Sequence, residues 1–433
     1  MPNVMATIGI RREDKNKWER RVPITPEHVH HLKQVDSITT VIQPSPIRIF
    51  TDDKYHQKEA IIKEDLTECP VIFGVKEMPS SFFQQRKTYV FFSHTIKGQS
   101  YNMPMLKRLM ELECTLIDYE KIMDTQGRRL VFFGRYAGIA GMIDTLWAFG
   151  QRLKAQGYST PFQDIKPTIS YDSLDEIRHH FQHIRNQLTT QRLPPSISPI
   201  IVGFAGYGHV SQGAQEIYNL LPIKEVQPED LPALLHSPSH QLYKVVFKEL
   251  HMAQPLDQRN QFNLQEYYTH PDRYTGVFER HLPYLSILMN CIYWDKRYPR
   301  LVSKEYVKQR NDMLRLHIIG DISVDINGAI ELTEKTTNPD VPTYVYNTAT
   351  GAIQEGVQGE GIVIMAVDNL PCELPRASSR NFSKSLLPFI PWVAKADYTQ
   401  PFHSLNLPDE VKKAVILHQG KLTPDYQYIE DFL

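Results

Sequence analysis

The chain has 433 residues, 41% of them hydrophobic and 22% charged, an ordinary globular mixture long enough for two or three domains and a large core. Lysine plus arginine (48) nearly balance aspartate plus glutamate (49), giving a net charge of −1. No basic block stands out, so neither nucleic acid nor an anionic membrane is an expected partner. Four scattered cysteines, Cys69, Cys114, Cys291 and Cys372, form no C-x-x-C pair and point to a reducing, cytoplasmic compartment rather than a disulfide framework. The opening MPNVMATIGIRRED reads as neither a secretory signal nor a transit peptide. The most apolar long segment, 137–150, is too short to span a bilayer.

In chain order, Met5–Ile10 reads as a first strand, and Thr25-Pro26-Glu27 as an N-cap, an N1 proline and an early acid opening a helix through Leu32. Cys69–Val75, Tyr89–Ser93 and Thr115–Asp118 read as buried strands, and Ala137–Lys154 as a long apolar helix bridging two domains. Ser173–Glu176 is a capping box that starts an amphipathic helix. The proline-rich 191–199 is a linker or loop. Strands follow at Ile200–Gly203, Ile223–Val226, Leu242–Phe247, Leu285–Met289, Leu314–Ile319 and Gly361–Val367. Between them, Met252–Arg280 is polar, tyrosine-rich and without clear period, an insertion of undefined structure. Strands alternating with helices predict an α/β fold of two Rossmann-like domains with parallel sheets and an interdomain cleft.

The stretch Gly203-Phe-Ala-Gly206-Tyr-Gly208-His209-Val210-Ser211-Gln-Gly213 runs from strand into loop into helix. Glycines suit a loop whose backbone must approach a pyrophosphate resting on helix N-terminal amides. The usual third glycine position is Ser211, and the glycine falls two residues later. A tight turn without a ligand is the competing explanation. For the adenosine ribose, Glu225 lies 19 residues beyond Gly206, yet the strand Ile223–Val226 ends at Gln227, with no acid at its tip. That leaves room for a 2′-phosphate without supplying a cation beyond Lys224 and Lys244, while Glu225 or Glu229 would favour free hydroxyls. These residues leave NADPH and NADH both open.

Lys76 and His94 each follow a predicted buried strand. In open parallel sheets ligands bind beyond the carboxyl ends of strands. A lysine pushed toward neutrality there by a histidine cation and low-dielectric walls would suit proton transfer. Isolated, either residue reads as a solvated side chain; together they indicate catalysis. Arg11, Arg12, Arg20 and Arg21 offer carboxylate-binding forks or a charged surface. His179, His180 and His183, like His28, His30 and His31, read as solvated faces, and no metal site is expected.

The segments WERRVPITPEHV, GVKEMP, FFSHTIKGQ, GRRLVFFGRYAGIAGMIDTL, GFAGYGHVSQGAQE, INGAIELTEKTT and VDNLPCELPRASS together resemble the lysine–2-oxoglutarate reductase family, the saccharopine-forming half of the bifunctional lysine-degradation enzyme. Lysine-forming saccharopine dehydrogenase, alanine dehydrogenase and transhydrogenase look like more distant relatives. The resemblance implies that Lys76 and His94 are catalytic, that Arg21, Gln99 and Phe133 bind substrate, and that Arg128 contacts the cofactor. It further implies cofactor contacts at Gly206, Gly208, His209, Val210, Asn290, Cys291, Ile292, Asp321 and Ser323, with Asp325 in the same D-x-S-x-D segment. The implied substrates are lysine and 2-oxoglutarate, or saccharopine in reverse, with NADPH as the implied cofactor and NADH possible. A substrate domain of 1–135 plus 375–433 and a dinucleotide domain of 136–374 are expected. An NAD-dependent lysine-forming dehydrogenase and a non-catalytic dinucleotide-binding regulator are the alternatives.

Overall fold

A computed structural model describes residues 5–235 and 240–433. The chain forms two compact units, Met1–Phe133 with Pro375–Leu433, and Gly134–Leu374. The first stretch supplies β1 (Ala6–Ile10), β2 (Ile38–Ile42), β3 (Ile61–Ile62), β4 (Val71–Phe73), β5 (Thr88–Phe91) and β6 (Thr115–Asp118). The second unit supplies β7 (Ile200–Ala205), β8 (Ile223–Val226), β9 (Leu242–Phe247), β10 (Ala253–Pro255), β11 (Tyr274–Gly276) and β12 (Ile287–Asn290). It continues with β13 (Ile318–Asp321), β14 (Thr343–Tyr346), β15 (Ile353–Glu355) and β16 (Ile362–Met365). The last stretch adds β17 (Val415–His418) and β18 (Lys421–Leu422).

In the first unit the sheet order is β18-β17-β6-β5-β4-β1-β2-β3, parallel from β6 through β3, with β17 and β18 antiparallel at one edge. Every residue of β4, β5 and β6 is buried, as a parallel sheet covered on both faces requires. Because β1 pairs with β2 on one side and β4 on the other, the strand order reverses there and opens a crevice at the carboxyl ends. The predicted strand Cys69–Val75 is trimmed to Val71–Phe73, since the Cys69 N–H is held in a turn by the Leu66 carbonyl (2.9 Å).

The second sheet runs β15-β14-β16-β13-β12-β7-β9-β8, parallel except for β14 and β15. Strand β7 is its switch point, between β9 and β12. The expected strand 314–319 forms later, at Ile318–Asp321, because the Leu314 N–H is still bonded in a turn to the Asn311 carbonyl (3.2 Å). The insertion has a structure of its own. The two-stranded β10-β11 ribbon and a helix, Leu264–Thr269, pack Tyr267 and Tyr274 with Phe262 and Tyr298 into a satellite core.

The long apolar helix spans Gly134–Ala155 and belongs wholly to the second unit, so it does not bridge domains as expected. It packs on the helix His209–Tyr218 that follows the glycine loop. Two glycines permit this closeness: a Cβ at Gly138 would collide with the Val210 backbone, and one at Gly213 with the Arg135 backbone. Among the described residues no helix is long and apolar enough to cross a membrane.

Gly213→Ala should therefore push the two helices apart and destabilise the second unit by about 1–3 kcal/mol, the usual cost of overpacking. Urea unfolding checks this; an unchanged midpoint would show that the helices separate freely.

Candidate active site

A cluster of ionisable residues of the first unit follows the carboxyl ends of β1, β4 and β5. Strand β1 runs into Arg11 and Glu13, β4 into Lys76 and Glu77, and β5 into His94. The Glu13 carboxylate accepts the backbone N–H groups of Val75 (2.7 Å) and Lys76 (3.0 Å), fastening the end of β4 to the loop after β1. Burial and the neighbouring Glu19 push the Glu13 carboxyl up to about 7.

The Lys76 amine is held below its ordinary range, first by burial and then by the Arg21 guanidinium. The low-dielectric surroundings expected to do this are the main cause, while the second is the Arg21 cation rather than a histidine one. His94 is instead bonded through Nδ1 to Glu77 Oε1 (2.6 Å), and Glu77 Oε2 also takes the Lys15 ammonium (2.8 Å). Burial opposes ionisation of Glu77, but His94 and Lys15 outweigh it and hold its carboxyl well below the usual range. An ionised Glu77 only accepts, so His94 carries its proton on Nδ1 and leaves Nε2 for exchange. His94 has a left-handed backbone (φ 49°), with its carbonyl held by the Asn102 amide (3.2 Å). Just before it, the N–H and hydroxyl of Ser93 donate to buried Asp118 (3.0 and 2.5 Å).

Of the four arginines for which a carboxylate-binding fork and a charged surface were both open, Arg11 and Arg21 are buried, Arg12 is partly buried and Arg20 is exposed. Glu19 grips the Arg21 fork through both oxygens (2.7 and 2.5 Å). The guanidinium lies 4.3 Å over the Phe133 ring, which stacks at 4.4 Å on Phe382. Gln99 has a buried Oε1 with no hydrogen-bond partner. Arg128 is not brought to this cluster; it is exposed in a turn and paired with Asp124 (2.7 Å). Three of the histidines read as solvated are half-buried: His28 bonds Ser383 (2.6 Å), His30 bonds Glu59 (2.9 Å) and His180 bonds Tyr171 (2.7 Å). No group of three metal-ligating side chains occurs among the described residues.

In the second unit the loop after β7 gives each glycine a separate task. Gly206 has φ 93° and donates its N–H to the Phe247 carbonyl (3.0 Å). Gly208 caps the helix that starts with His209 and Val210, and a Cβ there would meet no atom within 4 Å. That open cradle and the helix amides behind it fit a pyrophosphate. After β12 come Asn290, Cys291 and Ile292, with the Cys291 N–H bonded to the Ala205 carbonyl (3.1 Å). Asp321 accepts from Asn290 (2.9 Å), Thr333 (2.6 Å) and the Val324 N–H (3.1 Å), yet burial outweighs these and pushes its carboxyl up to about 6. Ser323 donates to the Ile292 carbonyl (2.5 Å), and the Asp325 carbonyl closes the next turn onto Gly328 (2.9 Å). A cavity of about 290 Å³ opens here, lined in part by Gly206, Gly208, Glu249, Tyr268, Cys291 and Tyr298.

The sheet order also corrects the sequence argument about the ribose. Strand β8 lies outside β9, so it does not adjoin β7. Glu225 on β8 pairs with Lys244 of β9 (2.8 Å), and Lys244 also bonds Asn219 (3.1 Å). The missing acid at Gln227 therefore says nothing about a 2′-phosphate. The sequence reading passed over Glu13, Glu19, Glu77 and Glu249. Only Glu77 had a signal, its place beside Lys76 in GVKEMP.

Residues 9–140 match the alanine dehydrogenase/PNT N-terminal domain and residues 278–425 the C-terminal domain. The chain is thus similar to both domains of the alanine dehydrogenase/PNT family. Over 98% of its length it is 37% identical to alpha-aminoadipic semialdehyde synthase of Arabidopsis thaliana and 35% identical to the mitochondrial enzyme of Mus musculus. It spans 41% and 47% of those two proteins, less than half of either. Over 88% of the chain and 90% of the relative, it is 27% identical to saccharopine dehydrogenase [NAD(+), L-lysine-forming] of Emericella nidulans. An L-alanine dehydrogenase structure shares the fold with a TM-score of 0.63 at 18% identity, covering 99% of this chain and all of that one. The transhydrogenase of Sinorhizobium meliloti gives 0.55 at 14%, covering 96% and 99%.

Glu13 binds its proton more tightly when folded than when unfolded. Its contribution to stability is therefore full in acid and is lost as pH rises through about 7. Between about pH 5 and about pH 8, the wild type should lose on the order of 1–3 kcal/mol relative to Glu13→Gln. Urea unfolding at both pH values checks this, and a constant gap would show an ordinary carboxyl.

Proposed function

We propose that this chain is a nicotinamide-dependent reductase that joins the ε-amine of lysine to 2-oxoglutarate as saccharopine, reversibly, in lysine degradation. The observation that carries this reading is the pair of titratable side chains, Lys76 and His94, at the ends of neighbouring strands among buried charges. The similarity to semialdehyde synthases along 98% of the chain supports the choice of substrates. Four buried free cysteines are consistent with a reducing, cytoplasmic compartment.

A bound nicotinamide dinucleotide supplies the hydride. Gly206, Gly208, His209 and Val210 would hold its pyrophosphate, and Asn290, Cys291, Ile292, Asp321 and Ser323 its nicotinamide half. Arg128 would have to leave Asp124 to take part. Lys76, kept toward neutrality by burial and Arg21, removes the proton from the lysine ε-ammonium so that the amine can add to the ketone. With Nδ1–H held by Glu77, His94 in its imidazolium form gives its Nε2 proton to the departing hydroxyl and becomes the neutral imidazole, water leaves, and the resulting protonated imine is the species reduced. Glu77 keeps the imidazole in the required tautomer. Arg21, already aligned by Glu19, faces a substrate carboxylate, and Phe133 flanks it. The unpartnered Gln99 Oε1 suits an α-ammonium donor.

A catalytically silent regulator would have no use for a desolvated lysine beside a tautomer-fixed histidine. Incubation with lysine, 2-oxoglutarate and each reduced dinucleotide, followed by nicotinamide absorbance, is the direct test.

Lys76→Met should lower turnover by about 10²–10⁴-fold while leaving dinucleotide affinity nearly intact. Near-normal turnover in this variant would remove Lys76 from the mechanism. His94→Gln should lower turnover and flatten one limb of the pH–rate profile; an unchanged bell would assign that limb to another group.

A further inference from the structure

In a dinucleotide fold, the strand beside the glycine-loop strand carries at its carboxyl end the residue that meets the adenosine ribose. A carboxylate there accepts from the 2′- and 3′-hydroxyls and repels a 2′-phosphate. In this chain the strand beside β7 is β9, even though β8 comes first in sequence. Strand β9 ends at Phe247, and two residues on lies Glu249.

Glu249 lines the cavity of about 290 Å³ together with Gly206 and Gly208 of the glycine loop. Tyr268 donates its hydroxyl to Glu249 Oε1 (2.6 Å), and Tyr207 donates to the same oxygen (3.3 Å). A carboxylate has about four acceptor positions, so two phenols leave capacity for a vicinal diol. The rest of the described lining holds Met252, Cys291, Ile292, glycines and tyrosines, with no lysine or arginine. Tyrosine faces suit the adenine ring. A 2′-phosphate in this cavity would thus meet a fixed negative charge and no lining cation.

We propose that Glu249 is the acceptor of the adenosine ribose diol and that this chain selects NAD(H) over NADP(H). The inference rests on the reading of the second unit as the dinucleotide-binding one. It departs from the NADPH expectation raised by sequence resemblance, and it places the acid after β9 rather than on β8, where the sequence argument about the ribose looked.

The test is equilibrium titration of the whole chain with NADH and with NADPH, followed by nicotinamide fluorescence with no substrate present. The wild type should bind NADH at least about tenfold more tightly, as the difference between a hydrogen-bonded diol and a like-charge juxtaposition implies. Glu249→Gln should narrow the ratio to within about threefold, and Glu249→Arg should reverse it. Lys248→Ala, which changes the exposed cation next to Glu249, should leave the ratio as it is. Equal or tighter NADPH binding by the wild type would overturn the proposal, as would a ratio unchanged in both Glu249 variants. So would a loss of NADPH binding in Lys248→Ala, which would make Lys248 the phosphate ligand. Because binding is read without substrate, selective NADH binding without saccharopine turnover would sink the proposed reaction and leave this inference standing.

Discussion

Past the carboxyl edge of a parallel sheet, backbone N–H groups lose their ladder partners and must find others. This chain meets that constraint with buried carboxylates. Glu13 takes the amides of Val75 and Lys76, Asp118 those of Ser93 and Glu120, and Asp321 that of Val324. Each bond that satisfies the backbone also sets where the next side chain begins. Lys76 is itself one of the residues Glu13 holds, and His94 directly follows the Ser93 anchored by Asp118. The Asp321 anchor shapes the turn that carries Ser323. Strand termination and site construction are the same set of hydrogen bonds.

Such anchors place charge where water is scarce, and the first unit compensates by pairing. Glu19 takes the Arg21 fork, Glu77 takes both His94 and Lys15, and the Arg21 cation rests on the Phe133 ring. A low local dielectric strengthens every one of these bonds and makes an unpaired partner expensive. It also disfavours the charge on Lys76, which faces both burial and the Arg21 cation. The left-handed backbone of His94 belongs to the same economy of position: a conformation unfavourable for a side chain is held by Asn102 at the carbonyl and Glu77 at the ring.

In the second unit the glycines divide a task that sequence motifs treat as one. Gly206 supplies a positive φ and Gly208 an open surface, while Gly138 and Gly213 let two helices touch. The displaced third glycine of the fingerprint is explained by that last role, since Gly213 faces the Arg135 backbone. Ser211, where the usual glycine would sit, is fully buried.

What the amino-acid order determined by itself was local. The run Ile200–Ala205 followed by glycines made a strand, a loop and a helix N-terminus, and Ser173 capped its helix through the Glu176 N–H. The buried runs that end just before Lys76 and His94 became adjacent strands. Hydrophobic pattern, capping and backbone freedom act over a few residues, so they can be read in order along the chain. Only the tertiary structure decided which strand adjoins which, and with it the choice of Glu249 over Glu225. It alone buried Arg11 and Arg21 and paired Arg21 with Glu19, formed a hydrogen bond between Glu77 and His94, and withdrew Arg128 into a turn. Sheet order and charge pairing depend on contacts between residues far apart in the chain, and no local period encodes which of two successive strands will take the inner place beside β7.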